Sequence, residues 1–263
     1  MSDKFTSKPE IELATILSQV TTFIKTRKII NPYEIDLYSP EYRVGIEYNG
    51  VHWHSSEFQS MFYHQEKCLM ALSNNVKLYH IFDYEWTSDD NKIIILSQIK
   101  RLMGLCPLRI EAFKCKQIEP SRTSCNEFLS RNCLKYNENY DYALGLEYEG
   151  RLISVCTFLR KEIINYAEQM DTYIHKGISH LLVDKHDISI SIDLGKFIYP
   201  FLSEGFRVVN VLDPEVHWFY IDHVATSEEL SLLMKNKPIN DQYLRELGCM
   251  KFYDCGNLLM TKI

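Results

Sequence analysis

Residues 34–54 read EIDLYSPEYRVGIEYNGVHWH, and this stretch sets the architecture of the chain. Its alternation predicts strands over 33–38 and 43–49, with Ser39-Pro40-Glu41 supplying the turn between them. Successive strand side chains point to opposite faces. Glu34 and Asp36 therefore share one face of the first strand, and Glu47 and Asn49 share one face of the second. Antiparallel pairing gathers these groups into a small acidic cluster, with His52, Trp53 and His54 just beyond it. Like charges this close repel unless a cation or a proton offsets them. The pattern suits a divalent-metal hydrolase site, and equally a pair of solvated carboxylates on an exposed hairpin face.

Before this hairpin, Ile11, Leu13, Ile16, Leu17, Val20, Phe23 and Ile24 predict an amphipathic helix over 9–26, starting near Ser7 or Pro9. A second helix is expected over 57–73, a third strand over 76–82 and a third helix over 91–103 that stops at Gly104. This order predicts a mixed sheet flanked by helices. A boundary is expected near 104–110, dividing the chain into domains 1–105 and 106–263. In the second, 124–131 reads as a short helix and 142–159 as a hairpin turning at Glu149-Gly150. A helix over 193–202, a strand over 208–212 and a final strand pair near 251–263 complete an α+β domain.

The chain has 263 residues, enough for two cores, and its apolar fraction of 46% and charged fraction of 24% are those of a soluble globular protein. No window is long and apolar enough for a membrane span, and the N-terminus lacks a signal core. Eight scattered cysteines without a C-x-x-C pair read as reduced thiols in a cytoplasmic protein. The formal net charge is −6, and residues 1–104 carry 11 Lys+Arg against 13 Asp+Glu. A nucleic-acid-binding face must then be local.

The expected chemistry centres on Asp36 and Glu47 as ligands of Mg²⁺ (or Mn²⁺), which would polarise a phosphoryl group and activate water. His64 and Lys67, three apart on the next helix, fall on its same face. His54 reads as a general acid or base, or as a surface histidine. His52 is a secondary candidate one strand step away, and Trp53 reads as core in preference to an apolar wedge against a base step. Glu85, with Asp83, either completes the acid cluster or belongs to the start of the next helix, where Thr87 or Ser88 would cap. Gly50 is expected to permit a sharp exit from the second strand.

The run NPYEIDLYSPEYRVGIEYNGVHWHS, followed by YHQEKC and VKLYHIFDYEW, resembles the phage Hef-like homing endonucleases. Their nuclease core is similar to the very-short-patch-repair (Vsr) branch of the PD-(D/E)XK superfamily. The segments RIEAFKCKQIEPSRTSCNEFLSRN, YALGLEYEGRLISVCTF and ELGCMKFYDCGN resemble that family's C-terminal region. The resemblance implies a restriction-endonuclease-like mixed-sheet domain followed by a smaller acyltransferase-like α+β domain. It also implies a metal-dependent endonuclease acting on double-stranded DNA. Asp36 matches the metal-binding strand aspartate, Glu47 the second-strand acid, and His54 the histidine after the motif tryptophan. His64 and Lys67 match polar helix positions, and Glu34 matches the leading acid. Asn49 stands where related nucleases carry another acid, so the implied site takes one Mg²⁺ or two.

In the second half, residues 183–197 (VDKHDISISIDLGKF) hold a single glycine, which does not suit a pyrophosphate-binding turn at a helix start. DNA contact or packing is expected there instead of acyl transfer. Lys114, Lys116, Arg122 and Arg131 could face phosphates, or form an ordinary solvated surface. Segment 224–241 reads as an insertion. An alternative to the nuclease is a catalytically weak relative that binds nucleic acid or inhibits a host protein.

Overall fold

The hairpin expected from residues 34–54 forms in the computed structural model, which describes residues 7–185, 188–196, 201–202, 204, 206–220, 223–226, 229–230, 241–246, 249–255 and 257–262. Strand β2 (Ile35–Ser39) pairs antiparallel with β3 (Val44–Asn49), with Leu37 opposite Ile46. Ile35, Leu37, Val44 and Ile46 are fully buried, which fixes which face of the hairpin meets the core. Strand β4 (Lys77–Phe82) then runs parallel to β3, and Glu47 lies opposite His80. Gly45 makes this close packing possible: a Cβ there would lie 2.8 Å from Leu78 Cδ1 and 3.0 Å from Ile35 Cγ2.

The chain divides into two units. The first comprises Met1–Thr87, Asp193–Lys196 and Leu212–Asn257. Within it, α1 (Lys8–Leu17) starts where Ser7 accepts a hydrogen bond from the Glu10 amide, with proline in its first turn. The helix ends at Leu17, short of the expected 26. The β-branched run that follows forms an edge strand instead, β1 (Ile24–Thr26), antiparallel to β2. The four strands make a mixed sheet in the order β1-β2-β3-β4. Helix α2 covers Tyr63–Ser73 and not 57–73. Residues before it are claimed by tertiary pairing: Ser55 bridges Phe252 and the Ser56 amide donates to the Lys251 carbonyl (2.8 Å). A three-stranded antiparallel sheet, in the order β14 (His223–Thr226), β13 (Val216–Tyr220), β15 (Met250–Tyr253), and helix α6 (Asp241–Glu246) complete this unit.

The second unit comprises Ser88–Ile192, Phe197–Val211 and Leu258–Ile263. It holds α3 (Asp89–Leu102), capped by Ser88, and α4 (Arg122–Asn132), capped by Ser121. A seven-stranded sheet runs β12 (Arg207–Leu212), β16 (Asn257–Lys262), β11 (Ile188–Asp193), β9 (Glu162–Glu168), β8 (Arg151–Leu159), β7 (Tyr142–Tyr148), β6 (Lys116–Ile118). The β7–β8 hairpin turns at Glu149 and Gly150, both at positive φ (50° and 75°), a twist that matches the flanking strands. Strands β5 (Leu108–Glu111) and β10 (Thr172–His175) form a separate parallel pair, and α5 (Gly177–Leu181) is a short helix.

Two expectations for the second half do not hold. Residues 188–193 are strand and 194–196 turn and bend, so no helix begins at Asp193; residues 201–202 at the end of the expected helix are helical, and 197–200 lie outside the described residues. The last two strands do not pair with each other: β15 joins β13, whereas β16 lies between β12 and β11. Of the expected insertion, residues 231–240 also lie outside the described residues. The described chain is thus a mixed α and β fold with several sheets and no barrel. Among the described residues, no helix is long and apolar enough to cross a membrane.

Candidate active site

Strands β2 and β3 bring Asp36 and Glu47 together, and each binds the other's backbone neighbourhood. The Asp36 amide donates to Glu47 Oε1 (3.2 Å), and the Tyr48 amide donates to Asp36 Oδ2 (3.1 Å). Glu47 is only 2% exposed, so the solvated-hairpin reading does not apply to it. From α2, Lys67 reaches across to pair with Glu47 Oε2. From β1, Lys25 lies 3.5 Å from Asp36, 3.3 Å from Glu34 and 3.5 Å from Glu10. The result is a buried, alternating array of carboxylates and ammonium groups.

The electrostatics follow from this burial. Loss of solvent, then the negative charge of Asp36, push the Glu47 carboxyl up to about 8, against the opposing pull of Lys67. Burial also raises Asp36, with Lys67 acting the other way. Burial alone would lower the Lys67 ammonium, but Glu47, Tyr63 and Asp36 together raise it. Lys67 therefore stays charged while the carboxyls share its attraction.

Three histidines line the adjoining space. His54 stacks on His64 at 4.9 Å between ring centroids, and His64 meets His80 edge-on at 5.4 Å. Burial, followed by the charge of Lys67, lowers His54 to about 4. Burial holds His64 and His80 well below the ordinary range as well. His54 Nδ1, both nitrogens of His64 and Nε2 of His80 are buried without a hydrogen-bond partner. Such atoms are costly in a folded protein and mark a place where a ligand or water is needed.

The remaining expected residues are distributed as follows. Glu34 is held by Arg27 (2.9 Å) and Lys25 at the rim. Asn49 turns toward β4, its amide 3.0 Å from His80 Nδ1. Glu85 accepts from the Phe82 amide (2.9 Å) and from Lys196 (2.6 Å), and Asp83 accepts from the Val51 amide (2.9 Å). Both belong to the turn after β4 and not to the Asp36–Glu47 pair. His52 lies in a turn and not on a strand, exposed against Trp53 and Phe58. Trp53 is 66% exposed, so it is a surface aromatic and not a core one. Gly50 has room for a Cβ, whose nearest neighbours would be 3.9 Å away, so no steric demand requires glycine there.

In the second unit Lys114 and Lys116 are exposed. Arg122 is committed elsewhere: it donates to the carbonyls of Glu138 (2.9 Å) and Tyr140 (2.5 Å) and lies over the Tyr140 ring. Arg131 lines an open groove of about 580 Å³ with Ser124, Arg151 and Gln169.

Sequence reasoning missed Lys25, Glu10 and His80. His80 carried the clearest signal, a polar ring inside the apolar strand KLYHIF. Comparison of the chain with protein-family models, with curated proteins and with solved structures finds no match.

Proposed function

We propose that the chain is a Mg²⁺-dependent endonuclease that hydrolyses phosphodiester bonds in DNA, built on a restriction-endonuclease-like unit of the Hef-like and Vsr kind. The observation that carries this reading is the convergence of Asp36 and Glu47 in a buried setting, with Lys67 against Glu47. Two hard oxygen donors, of which Asp36 raises the proton affinity of Glu47, fit a small divalent cation, which would relieve their repulsion. Asp36 and Glu47 would hold Mg²⁺, whose chemistry is to polarise the phosphoryl oxygen and acidify bound water. Lys67 keeps Glu47 oriented and adds positive charge beside the scissile phosphate. His54, neutral at physiological pH, accepts the proton of the attacking water, and His64 stacked beneath it holds the ring in place. The exposed Trp53 and Phe58 offer an aromatic surface beside the site for a base or a sugar face. Lys114 and Lys116 remain candidates for phosphate contact; Arg122 does not.

The test is cleavage of a supercoiled plasmid with Mg²⁺, Mn²⁺ or EDTA, with product ends mapped. Metal-dependent nicking by the wild type and none by Asp36→Ala supports the proposal. Equal cleavage by the two proteins overturns it.

One observation favours a second reading, a catalytically weak relative that binds nucleic acid or another protein. Lys67 and Lys25 already lie against Glu47 and Asp36, so the carboxylates are partly neutralised without a metal. A chain of that kind would bind DNA without Mg²⁺ and leave it intact.

A further inference from the structure

A cluster outside the carboxylate pair joins three elements of the first unit. Cys68 on α2, His80 on β4 and Cys255 just after β15 place their ligand atoms within 4.8 Å of one another. All three are buried, at 3%, 0% and 1% exposure. We propose that Cys68, His80 and Cys255 bind a zinc-type divalent cation, a site distinct from the Mg²⁺ site at Asp36 and Glu47.

The donor set argues for the metal. Two thiolates and an imidazole select zinc over Mg²⁺, which takes oxygen ligands. Two thiolates also cancel the charge of a divalent ion, so the loaded site is neutral and tolerates full burial. Tetrahedral zinc, with bonds of about 2.0–2.3 Å, needs its ligand atoms roughly 3.5–3.8 Å apart. The cluster must therefore close by no more than about 1 Å, well within side-chain adjustment.

The second observation is the histidine itself. His80 Nε2 is buried without a partner, while Nδ1 lies 3.0 Å from the Asn49 amide. The amide's opposite end, Asn49 Oδ1, is also unsatisfied. Which end of an amide faces a ring is set by the hydrogen-bond network. Rotating the Asn49 amide lets its carbonyl accept Nδ1–H, with the amide nitrogen moving to the former place of Oδ1, and leaves Nε2 with a free lone pair. That is the usual outer support of a metal-binding histidine. With Nδ1–H held by Asn49 and Nε2 on a metal, both nitrogens of the buried ring are engaged.

The fold also brings the sulfur close. A Cβ on Gly195 would fall 2.4 Å from Cys255 Sγ and 3.3 Å from Asp193 Oδ1, so glycine is what admits the cysteine. Water can take the fourth position. Binding releases the two thiol protons and links α2, β4 and the segment after β15. The metal would therefore steady the helix that carries His64 and Lys67.

The test is zinc content of the purified full-length chain by mass spectrometry, together with absorption of the Co²⁺-substituted protein. We expect about one zinc per chain and a thiolate-to-cobalt charge-transfer band. Both should disappear in Cys68→Ser and Cys255→Ser and persist in Cys133→Ser, whose thiol belongs to the second unit. Should Cys68→Ser not fold, the wild-type Co²⁺ spectrum decides alone, because a carboxylate site gives no thiolate band. Absence of bound zinc, a spectrum without thiolate character, or a Cys68–Cys255 disulfide would overturn the proposal. None of these readouts depends on DNA cleavage, so the site can fail while the nuclease reading stands, and the reverse.

Discussion

Lys67 and Glu47 form an ion pair in which both side chains are buried, at 4% and 2% exposure. A buried pair of this kind contributes little net stability over an apolar pair, yet breaking it strands a charge. Above about pH 8, where the Glu47 carboxyl is ionised, Lys67→Met should therefore destabilise the chain by about 3–5 kcal/mol, and Lys67→Met combined with Glu47→Leu should recover most of the loss. Urea unfolding of the single and double variants measures this. A loss below about 1 kcal/mol for Lys67→Met at that pH would mean that Glu47 takes up a proton once its partner is removed.

Metal affinity should depend on pH in a defined direction. The Glu47 carboxyl is raised to about 8 by burial and by Asp36, so below that value it holds a proton that a cation must displace. Apparent Mg²⁺ affinity should rise up to about tenfold per pH unit toward pH 8 and level off above it. In the metal-free chain the same raised carboxyl contributes stability that is complete below about 4.5 and lost as pH rises through about 8. Melting curves across this range should show that trend in the wild type and lose it in Glu47→Gln.

His54 runs the other way. Its ring is lowered from 6.5 to about 4 by burial and by Lys67, so it stays neutral across the physiological range. Its contribution to stability is present above about 6.5 and lost as pH falls through about 4, with a slope of up to about 1.4 kcal/mol per pH unit. His54→Phe should flatten that part of the stability profile. His54→Ala should lower the cleavage rate by about 10²–10⁴ while leaving Mg²⁺ affinity unchanged, as expected for a group that moves a proton. An unchanged rate would remove His54 from the mechanism.

Gly45 offers a check on the sheet. A side chain there meets Leu78 and Ile35 inside van der Waals distance, so Gly45→Val should cost about 1–3 kcal/mol by overpacking. Full retention of stability would show that β2, β3 and β4 are less tightly packed than their register implies.

Much of the site was legible because strand alternation is short-ranged. Asp36 and Glu47 could be placed on one face from period alone, and β2 and β3 formed where that period put them. Ser7 and Ser88 likewise cap the helices that follow them. What was not legible depended on distant partners. The segment before α2 looked helical, but Ser55 and Ser56 are taken by β15, far along the chain. Lys25 was hidden in an expected helix and became a site residue only because β1 pairs with β2. Trp53, a large aromatic ring, reads as core in the sequence, yet the turns over 51–54 leave it in solvent. His80 needed the parallel β3–β4 register to reach Asn49.

Joint coordination of a divalent cation by Asp36 and Glu47 underlies the proposed chemistry, and calorimetric titration of the full chain with Mg²⁺ probes it without an activity assay. Saturable binding in the wild type at pH 8, lost in both Asp36→Asn and Glu47→Gln while each variant remains folded, is the predicted result. Binding that survives either substitution, or no binding by the wild type, would refute it.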